Sequence, residues 1–301
     1  MSTAPDDTVL TGRVVAAYGR QVEIEDEQQQ RFRCMMRGRK LRPVCADEVQ
    51  WQRNEDDGVD GVVTRILPRR TALERPDRRG RVDTLASNIT QLVIVFAPRP
   101  EVDYGIVDRY LVAGELIGVA ALLVANKRDL DRLDTKVYED IGYPVVSVSA
   151  KQPESLGPLA EHLNGHTSIL VGQSGVGKSS LLNALIPGLD VRTQTVSAGS
   201  GEGRHTTTAS MLHHLEQGGD VIDSPGVRDY APPPVDEAQL AHGYREIADA
   251  AADCRFHNCR HLSEPNCAVK NGVDEGRISR ERYASYRHLL QRMASLGNDY
   301  S

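Results

Sequence analysis

A glycine-rich stretch near the middle of the chain has the residues needed to bind phosphate. It fits the pattern G-x-x-x-x-G-K-[ST] and consists of Gly172, Gln173, Ser174, Gly175, Val176, Gly177, Lys178, Ser179 and Ser180. Glycines let backbone amides curl around a phosphate, and the lysine at this spacing can reach terminal phosphates. The Ser179 hydroxyl can bind magnesium. The stretch predicts a nucleoside triphosphate site with Mg²⁺ and does not distinguish ATP from GTP.

Two short motifs that precede this loop in the chain can select the base. They are N-K-x-D, formed by Asn126, Lys127, Arg128 and Asp129, and S-A-K, formed by Ser149, Ala150 and Lys151. A carboxylate only accepts hydrogen bonds, so Asp129 can take the N1–H and the exocyclic N2–H of guanine, which adenine does not offer in that arrangement. Asn126 would tie neighbouring loops together, and the stem of Lys127 can lie against the ring. A backbone amide of the S-A-K loop can donate to guanine O6. Together the motifs predict a guanine nucleotide.

Two segments after the phosphate loop are typical of a nucleotide-dependent switch. Thr207 lies in the hydroxyl-rich run 203–208, and we expect it to complete the coordination of magnesium when the third phosphate is present. Asp223 and Gly226 belong to a D-x-x-G motif, which predicts a carboxylate near magnesium and an amide facing the third phosphate.

The group that orients the attacking water is less obvious from the sequence. Val227 occupies the position at which many GTPases have a glutamine for this purpose, so we expect slow hydrolysis by the protein alone. His205 is the candidate, because it lies in the loop before the second switch and imidazole can bond to water. The alternative for His205 is a structural or solvent-facing histidine.

A cluster near the C-terminus has the ligands for a metal. Cys254, Cys259, His261 and Cys267 supply three thiolates and one imidazole. This is a closed tetrahedral set suited to structural zinc, with no position left for a reactive water. His257 is an alternative ligand, less favoured because it lies inside the short loop between Cys254 and Cys259. Five cysteines in a chain this long do not form a disulfide framework, which favours a reducing compartment.

Apolar runs that alternate with helical stretches must position these motifs. The runs are residues 92–97, 120–125, 145–148, 168–171 and 221–222. Continuous apolar strands alternating with helices predict a parallel sheet covered on both faces, and ligands bind at the carboxyl ends of such strands. Each nucleotide motif follows one of these apolar runs, which is where this rule places a binding site. The order is circularly permuted, because the base motifs precede the phosphate loop. Such an order is permitted, since the site depends on which strands are adjacent and not on how they are connected.

The chain divides into three predicted domains. Residues 1–81 contain short alternating runs that predict a small antiparallel barrel or sandwich, and the charged stretch 69–81 is interpreted as a linker. Residues 82–235 hold the nucleotide motifs. Residues 236–301 contain the cysteine cluster between two predicted helices, one over 236–252 and a second that carries Ile278 and Met293.

Charge and hydropathy limit the possible partners. The net charge of −6 over 301 residues means that any contact with nucleic acid must be regional. No uninterrupted apolar run approaches the ~20 residues needed to span a bilayer, and the first residues lack the features of a signal peptide. We therefore expect a cytoplasmic protein without a membrane partner. One basic run faces either a polyanion or solvent: Arg31, Arg33, Arg37, Arg39, Lys40 and Arg42. Basic residues also outnumber acidic ones between 254 and 296.

These motifs in this order resemble those of the bacterial ribosome small subunit-dependent GTPase A family. The similarity rests on the N-K-x-D motif, the loop 172–183, the run 203–208, the D-x-x-G motif and the cysteine cluster. Two departures concern local packing: Ser224 stands where the family usually has threonine, and residues 85–91 only loosely follow the family's A-N-V-D-Q stretch.

The resemblance implies a multidomain protein with an N-terminal OB-fold, a central α/β P-loop GTPase domain of permuted order and a C-terminal, mainly helical zinc domain. It also implies that the protein binds the small ribosomal subunit and its rRNA and acts in its late maturation, with subunit-stimulated hydrolysis of GTP to GDP and phosphate. We expect a monomer with Mg²⁺ and one structural Zn²⁺. The alternative function is a nucleotide-gated RNA-binding scaffold whose turnover is incidental.

Overall fold

The computed structural model describes residues 8–38, 40–54, 58–76, 81–191, 210–223 and 230–298. Within these ranges the chain forms a barrel, a helix-covered sheet and a helical C-terminal region. None of the helices in the described ranges combines the length and apolar composition needed to cross a bilayer.

The N-terminal region is a five-stranded barrel, as predicted. Its strands are β1 (Leu10–Tyr18), β2 (Gln21–Glu25), β3 (Arg31–Met36), β4 (Glu48–Arg53) and β5 (Gly61–Ile66). Alternate side chains point inward, and Val22, Ile24 and Trp51 are buried in its core. The β3–β5 pair is parallel, whereas the sequence predicted an antiparallel barrel. A closed ring with an odd number of strands cannot alternate in direction throughout, so one pair must be parallel.

A hairpin connects the barrel to the rest of the chain. It pairs β6 (Ala72–Pro76) with β7 (Val82–Ser87), so the stretch interpreted as a linker contains a strand. Leu73 is fully buried in the central core. Arg69 donates from Nε and Nη2 to the two carboxylate oxygens of buried Asp47, at 2.7 and 2.8 Å. At least one charge in the stretch interpreted as a linker, that of Arg69, is therefore paired with a buried carboxylate.

The central sheet has the predicted parallel order. Its strands are β8 (Gln91–Phe96), β9 (Ala120–Ala125), β10 (Val145–Ser147), β11 (Thr167–Val171), β12 (Met211–His214) and β13 (Asp220–Asp223). They lie in the order β10-β9-β8-β11-β13-β12, and all are parallel except β12. An apolar core covers each face. The covering helices are α1 (Tyr104–Ile117), α2 (Lys136–Asp140), α3 (Gly157–Leu163) and α4 (Lys178–Leu185).

The barrel and the central sheet are joined edge to edge. β1 pairs with β12 at Ala16 and Met211, which makes one eleven-stranded sheet. Side chains support the joint, because the His214 ring lies 2.7 Å from Glu25 Oε1 and 2.6 Å from Asp220 Oδ1. The barrel is thus attached through the strand that lies beside β13.

The C-terminal region is helical, as predicted, with one difference in its helices. It contains α5 (Glu237–His242), α6 (Arg245–Ala251), α7 (Ala268–Asp274) and α8 (Arg280–Asn298). The helix predicted over 236–252 is interrupted at Gly243, where a Cβ atom would lie 2.7 Å from Val112 Cγ1 of α1. The lack of a side chain at Gly243 permits this close approach, and the backbone leaves the helical conformation at the next residue, Tyr244, with φ −112° and ψ 102°. Ile278 precedes α8 and does not lie within it.

A buried ion-pair network holds the C-terminal region against α1. The Arg282 side chain is 2% exposed, and its Nη1 and Nε donate to Asp108 Oδ1 at 2.6 Å and Glu246 Oε1 at 2.7 Å. The Tyr138 hydroxyl also donates to Asp108 Oδ1, at 3.1 Å. The guanidinium lies over the Tyr244 ring, 4.6 Å from its centroid. Buried charges are tolerated when they are paired and hydrogen-bonded in this way.

Replacing Arg282 with alanine should destabilise the protein by about 3–5 kcal/mol, because two buried carboxylates lose their counter-charge. The measurement is urea unfolding at neutral pH. Arg277→Ala is the matched control, since Arg277 pairs with Glu275 on the surface, where both side chains are about 60% exposed, and it should change the free energy of unfolding little. Equal midpoints for the two variants would contradict the importance of the network.

Candidate nucleotide-binding site and metal centre

The phosphate loop connects the buried strand β11 to α4. Gly172 and Gly177 have φ values of 131° and 98°, a region that L side chains rarely adopt. A side chain at Gly172 would also overlap the Val95 carbonyl of β8. Lys178 Nζ donates to the carbonyls of Gly172 at 2.8 Å and Gln173 at 3.0 Å. The loop therefore curls around the ammonium group, with its backbone near the first turn of α4.

Asp223 lies at the carboxyl end of β13, next to β11. Its Cα is in register with Leu170, two residues before the phosphate loop begins. The side chain is buried, and burial raises the pKa of Asp223 while the charge of Lys178 opposes that rise. The buried carboxylate of Asp223 and the hydroxyl of Ser179 are both oxygen ligands of the kind that magnesium prefers. His205, Thr207 and Gly226, the other predicted switch residues, lie outside the described residues.

Both base motifs and the phosphate loop line one cavity of about 260 Å³. The lining residues are Asn126, Lys127, Asp129, Leu130, Ser149, Ala150, Lys151, Gly177 and Ser180. Segments distant in sequence thus meet in one place. Leu130 was not predicted as a site residue; its only sequence signal is an apolar residue directly after the N-K-x-D motif, and the structure leaves it 51% exposed at the cavity.

Asp129 is held in a defined orientation at this cavity. The Ser149 hydroxyl donates to Asp129 Oδ1 at 2.6 Å, and Lys151 Nζ lies 3.8 Å from Oδ2. The hydrogen bond from Ser149 is the main reason that the pKa of Asp129 is lowered. Asp129 is therefore an ionised acceptor at neutral pH, which is the form that can receive two N–H donors from guanine.

Asn126 and Lys127 fasten the base loop to the phosphate loop. Asn126 Nδ2 donates to the Val176 carbonyl at 2.8 Å. Lys127 Nζ donates to the carbonyls of Gly175 at 2.6 Å and Arg99 at 2.7 Å. The two halves of the cavity are therefore set at a fixed distance from one another.

Arg128, also predicted to contact the nucleotide, is not among the residues that line the cavity. Its Nε donates to Gln152 Oε1 at 3.2 Å and its Nη1 to the Ser147 carbonyl at 3.3 Å. It therefore braces the S-A-K loop from outside. No pattern near Arg128 indicates this role, because its hydrogen-bond partners lie elsewhere in the chain.

The four predicted metal ligands come together in the C-terminal region. The ligand atoms of Cys254, Cys259, His261 and Cys267 all lie within 4.8 Å of one another. His261 Nδ1 is 3.6 Å from Cys254 Sγ and 3.5 Å from Cys267 Sγ, and these two sulfurs are 3.9 Å apart. A tetrahedral zinc with bonds of ~2.3 Å to sulfur and ~2.05 Å to nitrogen requires ~3.8 Å between two sulfur ligands and ~3.5 Å between a sulfur and a nitrogen ligand. The separations among Cys254, His261 and Cys267 fit zinc, and Cys259 supplies the fourth ligand atom within 4.8 Å of the others.

Helix α8 supports this cluster from behind. The Tyr283 hydroxyl donates to the His261 carbonyl at 2.5 Å, and the Tyr286 hydroxyl donates to the Arg260 carbonyl at 3.0 Å. His261 itself is buried and has a φ of 60°. His257, the alternative ligand, is exposed and lies outside the cluster.

Comparison with known proteins identifies the family. The sequence model of the RsgA GTPase family matches residues 66–231. A relative from Pseudomonas aeruginosa strain LESB58 is 44% identical over 291 residues, which cover 94% of this chain and 85% of the relative. This chain belongs to the RsgA GTPase family. A relative from Azotobacter vinelandii strain DJ is 45% identical over 291 residues, which cover 93% of this chain and 84% of that relative. Both relatives are described as small ribosomal subunit biogenesis GTPase RsgA.

Two solved structures share the architecture of this chain. YjeQ from Thermotoga maritima aligns with a TM-score of 0.73 and 32% identity, covering 96% of this chain and 99% of that protein. YloQ, described as a circularly permuted GTPase, aligns with a TM-score of 0.71 and 27% identity, covering 97% and 96%. The permuted order predicted from the motifs agrees with this likeness.

Proposed function

We propose that this RsgA-family protein binds GTP with Mg²⁺, hydrolyses it to GDP and phosphate, and acts in the biogenesis of the small ribosomal subunit. The observation that carries the proposal is the cavity shared by the N-K-x-D motif, the S-A-K motif and the phosphate loop. The ribosomal role is supported by the names of relatives that match most of the chain.

In this proposal the described residues bind different parts of the nucleotide. Asp129 receives the N–H donors of guanine, and Lys178 with the loop amides binds the phosphates. Ser179 and Asp223 would hold Mg²⁺, which neutralises charge that develops on the phosphate oxygens. In this proposal Thr207 and Gly226 complete the contacts to the third phosphate, and His205 orients the attacking water.

The partners and the second metal complete the proposal. Cys254, Cys259, His261 and Cys267 hold one structural Zn²⁺. We place the rRNA contacts on exposed basic residues of the barrel, which include Arg33 and Arg37. Arg31 is also exposed, but it forms ion pairs with Glu23 and Glu25. The protein acts as a monomer in the cytoplasm.

The deciding experiment measures GTP turnover with and without purified small ribosomal subunits. We expect the rate to rise at least about tenfold with small subunits, because Val227 leaves water orientation to groups that the particle helps to order. Large subunits are the specificity control, and Lys178→Ala with small subunits controls for contaminating hydrolases. Nucleotide-dependent binding to small subunits without faster turnover would favour the scaffold alternative instead.

A further inference from the structure

Ser155 lies outside the motifs that define the nucleotide site, but it is bonded to one of them. It ends a single 3₁₀ turn, Pro153–Ser155, and is 5% exposed. Its Oγ accepts from the backbone N–H of Ser149 at 2.9 Å and donates to the Gln152 carbonyl at 2.7 Å. One hydroxyl thus fixes the backbone at both ends of the S-A-K loop.

The residue that Ser155 holds is the one that orients the base-selecting carboxylate. Ser149 Oγ donates to Asp129 Oδ1 at 2.6 Å, and Ser149 Oγ also accepts from the Lys151 backbone N–H at 3.2 Å. Because Ser149 is 1% exposed, water is not available to replace Ser155 as the acceptor for its N–H. The direction of the Ser149 hydroxyl therefore depends on Ser155.

We infer that Ser155 is a positioning residue for guanine recognition, which acts on Asp129 through Ser149. The inference rests on the proposed guanine site. Asp129 must present both carboxylate oxygens in the plane of the base to bind N1–H and N2–H at once. A carboxylate that can rotate still accepts one hydrogen bond from the base. We expect that bond to be the one from N1–H, so that a loss of orientation weakens the bond from the exocyclic amine first.

Lys151 does not substitute for this control. Its side chain is 80% exposed and its ammonium lies 3.8 Å from Asp129 Oδ2, so the attraction is screened by water and has little directional preference. A short hydrogen bond from a buried loop sets the angle of the carboxylate more narrowly than a solvated ammonium can.

A purely structural role for Ser155 predicts a different result. A loosened loop would lower the stability of the protein or its affinity for every nucleotide alike. A positioning role instead changes the ratio of affinities for two bases that differ only at the exocyclic amine. GDP and inosine diphosphate are such a pair, because hypoxanthine keeps N1–H and O6 and lacks the 2-amino group.

The test compares full-length Ser155→Ala, Ser149→Ala and the double variant by calorimetric titration with GDP and inosine diphosphate, at fixed magnesium and salt. We expect Ser155→Ala to weaken GDP about 5- to 30-fold and inosine diphosphate less than about 3-fold, since only the latter lacks the amine. The double variant should match Ser149→Ala, because residues acting in one chain of contacts are not additive. Ser155→Thr keeps the hydroxyl and should restore the ratio.

Ser147→Ala is the matched control, since Ser147 is an exposed serine at the end of β10, two residues before Ser149, and its carbonyl accepts from Arg128. Its GDP to inosine diphosphate ratio should equal that of the parent. If Ser155→Ala fails to fold, Ser155→Cys takes its place, because a thiol is a weaker acceptor of similar size. Equal losses for both nucleotides, additive losses in the double variant, or no loss would each overturn the inference. A parent protein that does not bind GDP would instead refute the proposed function.

Discussion

Asp129→Asn should shift the base preference of the site from guanine to xanthine. The Ser149 hydroxyl donates to Oδ1, so in the variant the amide oxygen is favoured at that position and the amide nitrogen takes the other. An NH₂ group there repels the exocyclic amine of guanine but can donate to the carbonyl that xanthine carries in its place. We expect GDP affinity to fall at least about 10³-fold, because a site built to hydrogen-bond one group rejects a mismatched ligand by factors that reach ~10⁴–10⁵.

The measurement is competition between GDP and xanthosine diphosphate for the same protein sample. Asp131→Asn removes an exposed carboxylate from the same loop and is the control for the loss of a charge; its preference for GDP should remain. Unchanged GDP affinity in the Asp129 variant would show that the carboxylate does not contact the base.

Loss of one cysteine of the C-terminal cluster should have the second large effect. Cys254→Ser is expected to lower zinc affinity at least about 100-fold and to loosen the C-terminal region, because a structural zinc contributes apparent binding free energies of about 10–16 kcal/mol in zinc-finger peptides. Cys254 Sγ is within 4 Å of both His261 and Cys267, so its removal opens the tetrahedron. Zinc content by mass spectrometry and the thermal midpoint are the two measurements.

The control for zinc is the neighbouring histidine. His257→Ala should retain one zinc per chain, since His257 is exposed and outside the cluster. Stoichiometric zinc in Cys254→Ser, or loss of zinc from His257→Ala, would show that the ligand set is different.

Local patterns in the sequence were sufficient for the parts of the fold that depend on near neighbours. A buried strand such as β11 is followed directly by its phosphate loop, and the four metal ligands lie within one short segment, so both could be predicted. The hairpin strand β6 was missed because its arginine-rich surroundings suggest solvent, whereas Arg69 is paired with Asp47.

Pairs that are far apart in the chain could not be predicted. Asp108 and Arg282 are separated by 174 positions, and no sequence pattern near either residue identifies its partner. Gly243 packs closely against Val112 of another helix, a contact that no pattern near Gly243 indicates. Ser155 likewise belongs to no motif, and its role follows only from the atoms that it contacts.

The permuted order also determines when each strand of the central sheet is synthesised relative to its neighbours. Every residue of β8 is buried in the finished sheet, between β9 and β11. β9 follows β8 closely in the chain, but β11 ends at Val171, so at ~5–20 residues per second it emerges roughly 4–15 s after β8. During that time one edge of an apolar strand is unpaired and can bind other chains. In a GTPase of ordinary motif order, the strand that leads into the phosphate loop is made before the strands of the base motifs. In this chain that strand, β11, is made after them, so the edge of β8 that pairs with β11 stays open in the middle of synthesis.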